Sequence, residues 1–362
     1  MSRLSHNLLD RYIERYVREH PHQLKKIAEL AFTPRRFLVI SSTALGDTLL
    51  STPAVKSLRK SFPKARITAL LHKNIASLFM HFKYIDKIIP YHGGYKRFFE
   101  TARKIGEEKP EVCLIFHGNG PQDIAFSVLS GAQFILKHPT KSPYRKYLAY
   151  DFEQTHRHTI EERLDLVRKI GGTVIDPVME IPPLIDRRKR EKIARLVGDG
   201  GILIGFQIGA ADRYKMWSPE KFIGLARLIA RRHPGVKILL TGVAGERVLA
   251  RKIVAACGGI AVSNICGKLA VDELPYLLER LNLLVTNDTG PMHLAFALGT
   301  PTVALFSPTD FMTIGPYHAK GPYKVVYKPP PCDKCTTKKC KKPICMEQIS
   351  EEEVLEEVEQ FM

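Results

Sequence analysis

"VTNDTGPMHLAFALGTPTVALF" occupies residues 285–306 and decides how the rest of the chain is read. An apolar run, LNLLVTN, delivers Asn287, Asp288 and Thr289 to a glycine, a proline and then an apolar helix, after which a second apolar run, TPTVALF, begins. Strand, polar turn, helix, strand in this short compass is the repeating unit of a parallel sheet covered on both faces. A second stretch, "VISSTALGDTLLSTPAV" (Val39–Val55), has the same plan: strand, small polar loop, Gly46-Asp47, helix.

Working outward from these two anchors, strands are expected at Phe37–Ser41, Ile67–Leu71, Val112–Phe116 and Gln133–Leu136, with helices at Asp47–Ser61 and Glu161–Lys169. A proline-bearing stretch, DPVMEIPPLID (Asp176–Asp186), breaks the pattern and reads as a linker. The alternation then restarts. Strands are expected at Ile202–Gln207, Val236–Thr241, Ala261–Ile265, Leu283–Thr286 and Thr302–Phe306, and helices at Pro219–Arg232, Glu246–Cys257 and Val271–Arg280. Two α/β halves joined this way place a ligand cleft at the carboxyl ends of their strands. Before them, residues 4–32 carry a helical stripe (Leu8, Leu9, Tyr12, Ile13, Tyr16, Val17), interrupted at Pro21 and ended at Pro34. Such a stripe is a packing face; its basic character also suits contact with a membrane surface.

The chain's 362 residues, 44% hydrophobic and 25% charged, are enough for two cores. A net charge of +18, spread along the chain, points to an anionic partner and a broadly basic surface rather than one nucleic-acid arm. No apolar run approaches the roughly 18 residues of a membrane span. The charged start, MSRLSHNLLDRYIERYVREH, does not read as a signal peptide, so the expectation is a cytoplasmic protein with its seven cysteines reduced.

Five clusters carry chemistry. In NDTGPMH the turn ends at a helix start, where exposed N–H groups and the helix dipole attract an anion. Thr289 adds a hydroxyl, Gly290 admits a phosphate to the backbone, Pro291 wastes no donor there, and His293 follows one turn on. Plain capping by Asp288 or Thr289 would use the same letters. In QIGAADRYKMWSPEKF, Lys215 and the single tryptophan, Trp217, precede a helix start; the lysine suits a diphosphate or a plain surface position. In LLTGVAGERVLARKI, Glu246 follows a glycine-rich turn, where it holds a ribose diol or complements the helix dipole.

In the first half, Asp47 follows SSTALG, which is neither GxGxxG nor a P-loop. Ser42, Thr43 and Gly46 are small enough to admit an acceptor against the backbone, and Asp47 is either a plain helix cap or the candidate general base. Near the C-terminus, Cys332, Cys335, Cys340 and Cys345 follow C-x2-C-x4-C-x4-C, the spacing of a zinc knuckle with cysteine in place of histidine. They suit a structural zinc or iron, or stay unliganded. Cys113, Cys257 and Cys266 read as core residues.

Together these stretches resemble the heptosyltransferases of glycosyltransferase family 9. The matching pieces are GDTLLSTPAVKSLRKSFPKARI (46–67), IGAADRYKMWSPEKFIGLA (208–226), LTGVAGE (240–246), ICGKLAVDELPYLL (265–278) and NDTGPMHLAFALGTPTVALFSPTD (287–310). The resemblance implies a GT-B fold, two Rossmann-like parallel-sheet domains facing across a cleft. It covers roughly residues 36–360 and assigns an acceptor domain to 36–180, a nucleotide-sugar domain to 181–330, and a cysteine loop with a C-terminal helix to 331–362; the helical extension, 1–35, lies outside it. The implied reaction is inverting, metal-independent transfer of heptose from ADP-L-glycero-D-manno-heptose to a lipopolysaccharide inner-core acceptor (lipid A–Kdo), at the cytoplasmic face of the inner membrane. Asp47 matches the family's candidate base, Lys215 its phosphate-contacting lysine, and Asp288, Thr289, Gly290 and His293 its donor motif. No D-x-D pair stands ready to chelate Mg²⁺. Three rival readings keep the fold or the charge: another nucleotide sugar or a protein or capsular acceptor, a GT-B nucleotide-sugar epimerase, and a nucleic-acid-binding protein using the cysteine knuckle. The dispersed charge and missing stacking aromatics argue against the last, and no nucleic acid is expected as a partner.

Overall fold

The structure is a computed structural model that describes residues 3–118, 120–139, 142–198, 200–332, 340 and 344–362. The chain divides into two compact units, Met1–Pro177 and Val178–Met362, and the division falls inside the proline-bearing stretch 176–186.

The first unit holds five strands: β1 (Arg36–Ser41), β2 (Arg66–His72), β3 (Lys87–Tyr91), β4 (Val112–His117) and β5 (Phe134–Lys137). All are parallel, in the order β3-β2-β1-β4-β5. The central strands are buried along nearly their whole length, as residues covered by helices on both faces must be. Strand order reverses between β1 and β4, so their carboxyl ends flank a crevice. The β1–β4 ladder slips by one residue there: Ile40 pairs with Ile115, but Ser41 pairs with His117.

Helix Leu45–Ser61 follows β1 and contains Pro53. Proline cannot donate to the carbonyl of Leu49 four residues back, and the Thr52 hydroxyl does so instead at 2.7 Å. The N-terminal stripe forms one helix, Arg3–Glu19, followed by a 3-10 turn at Ile27–Glu29 rather than a second α-helix. Its Leu9 and Ile13 belong to the first unit's core, and Tyr12 meets Phe99 edge-on.

The second unit holds β6 (Leu203–Gln207), β7 (Lys237–Thr241), β8 (Val262–Asn264), β9 (Leu283–Asn287), β10 (Thr302–Phe306) and β11 (Tyr323–Tyr327). These are also parallel, ordered β11-β10-β9-β6-β7-β8, and the order reverses between β6 and β9. Gly205 in β6 is required by packing: a Cβ there would lie 2.5 Å from Leu281 Cδ1. Trp217 is fully buried, its indole N–H donating to the Ile349 carbonyl at 3.1 Å, and so ties this core to the C-terminal segment. Helix Glu351–Glu359 packs on helix Pro219–Arg232.

The nine expected strands are present within a residue or two of their expected bounds. Two edge strands were not expected, β3 (KIIPY, carrying a proline) and β11 (YKVVY, half exposed). Helices Phe98–Gly106 and Gln122–Leu129 were also not expected, and the helix expected at Val271–Arg280 is confined to Leu274–Leu278. Among the described residues, no helix is long and apolar enough to cross a membrane.

Candidate active site

At the first reversal point, the loop after β1 and the end of β4 bring four polar side chains together. Asp47 sits in the first turn of helix Leu45–Ser61 with its side chain 27% exposed. Its Oδ2 accepts a hydrogen bond from Thr43 Oγ1 at 2.8 Å. The same Thr43 oxygen lies 2.6 Å from His117 Nδ1, and His117 Nε2 lies 3.4 Å from Asp47 Oδ1. Arg163, from helix Thr159–Lys169, is buried, donates from Nη1 to the Asp47 carbonyl, and places Nη2 3.7 Å from Asp47 Oδ1. Its Nε and Nη2 have no hydrogen-bond partner among the described residues.

Burial pushes the His117 imidazole down to about 4; the Asp47 carboxylate opposes that shift, and Arg163 and Lys137 add to it. His117 is therefore neutral at pH 7. Burial also lowers the Arg163 guanidinium to about 10, against the pull of Asp47 and Glu162, which leaves it charged.

Ser42 serves the interior of this cluster. Its hydroxyl donates to Asp123 Oδ1 at 2.6 Å, and its backbone N–H donates to the His117 carbonyl at 3.1 Å. Asp123 is buried close to Lys137, whose Nζ donates to the Gly118 carbonyl at 3.0 Å. Burial raises the Asp123 carboxyl and lowers the Lys137 ammonium, and each opposes the other's shift. These contacts clamp the loop after β1 to the loop after β4. Gly46 lies buried in the first helical turn. Thr43 and Asp47 are hydrogen-bonded, with Gly46 in the same helical turn, and Ser42 lies buried behind them, bonded to Asp123. His117, Arg163 and Asp123 were not singled out. His117 and Lys137, each ending a parallel strand, carried the one usable signal.

At the second reversal point, Lys215 ends a 3-10 turn after β6, and its Nζ lies 2.6 Å from Asp288 Oδ2. The pair is well shielded, 18% and 5% exposed. Thr309, in the loop after β10, donates to the same Oδ2 at 2.8 Å and was also missed from sequence. Asn287 staples β9 to the loop after β6: its Nδ2 donates to the carbonyls of Gln207 and Ile208, and its Oδ1 accepts the Trp217 N–H at 3.0 Å.

Thr289 occupies the cap position of helix Gly290–Leu298, with extended backbone and no side-chain cap hydrogen bond. A hydroxyl that does not cap, ahead of a glycine, leaves the helix start open to an anion. His293 is buried one turn on, its ring edge-on to Phe296.

Glu246 accepts the Val243 N–H at 2.7 Å and lies against two bare backbones. A Cβ on Gly209 would be 1.5 Å from its Oε1, and one on Gly242 would be 2.0 Å from Oε2, so a side chain at either position would displace the Glu246 carboxylate. Burial raises this carboxyl, and the Val243 hydrogen bond offsets part of the rise.

Of the four C-terminal cysteines, Cys332 is exposed, Cys340 part-buried and Cys345 buried, while Cys335 lies outside the described residues. Among the described residues, no group of three or more His, Cys, Asp or Glu is placed to hold a metal ion. Cys113, Cys257 and Cys266 are core residues as expected.

Two doubly wound parallel sheets, each with a polar cluster at its reversal point, are the architecture of the GT-B fold. Solved structures share this architecture. The E. coli ADP-heptose lps heptosyltransferase II superposes with a TM-score of 0.72 at 18% identity, over 90% of this chain and 98% of that one. E. coli heptosyltransferase WaaC, solved with ADP-2-deoxy-2-fluoro heptose, gives 0.65 at 16% identity, over 90% and 100%. In sequence, the chain is 26% identical over 332 residues to a lipooligosaccharide heptosyltransferase 2 of Campylobacter jejuni, covering 88% of this chain and 96% of that protein. The model of glycosyltransferase family 9 (heptosyltransferase) matches residues 145–345, and the chain belongs to that family.

Proposed function

We propose that this enzyme transfers a heptose from an ADP-activated donor to an anionic lipopolysaccharide core acceptor, with inversion and without a catalytic metal. The observation that carries the reading is the Asp47 cluster: a part-exposed carboxylate held by Thr43 beside a neutral imidazole and a buried guanidinium. Asp47 acts as the general base. The acceptor oxygen forms a bond to the anomeric carbon as the bond from that carbon to the diphosphate breaks, and the acceptor's proton passes to Asp47.

In the second unit, Lys215 and the open helix start at Thr289 and Gly290 carry the charge of the departing diphosphate. An ammonium has three N–H donors; Asp288 takes one from Lys215, and two remain for phosphate oxygens. Glu246 receives the ribose hydroxyls, and His293 supports the donor helix from within. The donor named for WaaC and the lipopolysaccharide relatives support the choice of ADP-heptose and a core acceptor. The basic surface suits a peripheral position at the cytoplasmic face of a membrane.

The test is a panel of nucleotide sugars, each supplied with and without Kdo–lipid A, with the released nucleoside diphosphate identified. ADP released from ADP-heptose only when acceptor is present supports the proposal. UDP or GDP release replaces the donor, and free sugar formed without acceptor replaces transfer by epimerase-like chemistry. Brief EDTA treatment leaves turnover intact; loss restored by Mg²⁺ overturns the metal-free mechanism.

A further inference from the structure

The hydrogen positions around Asp47 follow from counting. A carboxylate only accepts, so the single Thr43 hydroxyl proton is spent on Asp47 Oδ2. The 2.6 Å contact between Thr43 Oγ1 and His117 Nδ1 then needs its proton from the ring. A neutral imidazole with its proton on Nδ1 has a bare lone pair on Nε2. That lone pair faces Asp47 Oδ1, a second acceptor, across 3.4 Å. Two acceptors facing each other repel, and one proton between them turns the repulsion into a hydrogen bond.

We propose that His117 is a positioning residue for proton uptake: its Nε2 lone pair makes Asp47 Oδ1 the atom that takes the acceptor's proton and holds that proton by a hydrogen bond once transferred. The inference rests on the reading of Asp47 as base. In the step, the proton leaves the acceptor hydroxyl for Oδ1, the acceptor oxygen's electron pair forms the new glycosidic bond, and the pair of the broken bond leaves with the nucleoside diphosphate. His117 gains and loses no proton in the step. The resting arrangement depends on the charged and titratable groups packed around the ring: Asp47 on helix Leu45–Ser61, Arg163 on helix Thr159–Lys169, Lys137 ending β5, and Asp123 beside Lys137 and Ser42. The two cations and burial keep the ring neutral against the pull of Asp47. Thr43 selects the tautomer, and a chain with valine there would lose that selection.

Ring-nitrogen NMR of the full-length protein tests the resting state without any substrate. At pH 7, His117 should show a neutral ring with its proton on Nδ1, and Thr43→Val should convert it to a mixture of tautomers. A proton on Nε2, or an imidazolium, in the wild type overturns the proposal. The kinetic arm measures ADP release from ADP-heptose with Kdo–lipid A across pH. His117→Phe and His117→Asn should each lower kcat about 3- to 10-fold, what one neutral hydrogen bond contributes, with KM unchanged. Removing the lone pair weakens Asp47's hold on a proton, so the acid limb of the rate profile should move to lower pH by roughly half to one unit. A purely structural role would lower the rate without moving that limb. If Asp47→Asn keeps its turnover, the base reading falls and takes this inference with it. If Asp47→Asn is inactive while both His117 variants keep the wild-type rate and profile, only the inference falls.

Discussion

The two reversal points have the same topology and hold their carboxylates differently. At the first, Asp47 is part-exposed, its cationic neighbour Arg163 stands 3.7 Å off, and a neutral ring faces its outer oxygen. At the second, Asp288 is 5% exposed and its oxygen is shared by the Lys215 ammonium at 2.6 Å and the Thr309 hydroxyl. The first carboxylate is part-exposed, with one oxygen toward a neutral ring. The second is locked into a short, shielded ion pair that aims its lysine. The fold supplies the same corner twice, and under the proposed function the neighbours make one acid a base and the other a strut.

The comparison breaks most sharply at Asp47. Asp47→Asn keeps the shape and removes the base, so turnover should drop by roughly 10²–10⁴ while calorimetric affinity for ADP stays at the wild-type value. Turnover close to wild type would leave Asp47 a strut like Asp288.

Lys215→Ala probes the other corner. Loss of a charge-assisted contact should weaken ADP binding by about 1.5–3 kcal/mol. It also strands the buried Asp288 carboxylate, so the thermal midpoint should fall, unlike that of Asp47→Asn. Unchanged affinity in titration calorimetry would detach Lys215 from the diphosphate.

Thr289 sharpens the contrast between capping and ligand binding. Removing a capping threonine ordinarily costs about 1 kcal/mol. Thr289 makes no side-chain cap bond, so Thr289→Ala should cost less than half of that in denaturant unfolding while still weakening ADP binding. A full capping penalty with ADP affinity untouched would restore the capping role.

The smallest effect belongs to Glu246. Burial holds its carboxyl above the ordinary range, so the charged form is disfavoured in the fold. The charge therefore costs stability above the raised pKa, and the cost disappears as pH falls through it. Glu246→Gln should raise the melting temperature slightly at pH 7 to 8, and the gain should vanish at pH values below the ordinary carboxylate range. A gain that persists in acid would contradict the sign.

What the sequence reveals follows from what leaves a local trace. β1, β4, β6 and β9 are continuous apolar runs, and Asp47, Thr289 and Gly290 sit where strand turns into helix, so both corners can be read from adjacent letters. Edge strands β3 and β11 are half exposed and lose the apolar run that marks their neighbours. Arg163 reads as one more basic residue in IEERLDLVRK; only tertiary packing buries it and brings it to Asp47, 116 positions earlier. His117, at the end of β4, and Thr309, in the loop after β10, are likewise single polar letters. The depression of the His117 imidazole comes from burial and from cations on two other elements, none of which its sequence neighbours announce. The second corner was half legible, because Lys215 and Asp288 were each chosen for a ligand, whereas their bond to one another has no signature in spacing.

The one-residue slip in the β1–β4 ladder carries a consequence for how this site tolerates insertion and deletion. In unbroken register Ser41 would stand beside Phe116; the slip sets it beside His117. Side chains along a strand alternate, so a single skipped residue exchanges which of two neighbours occupies a given station. A chain lengthened by one residue inside β4 would keep its apolar core letters nearly unchanged and yet present a phenyl ring where the imidazole now stands. The chemistry at Asp47 is thus set by phase as well as by composition, and a frame of one residue separates a hydrogen-bonding partner from a greasy wall.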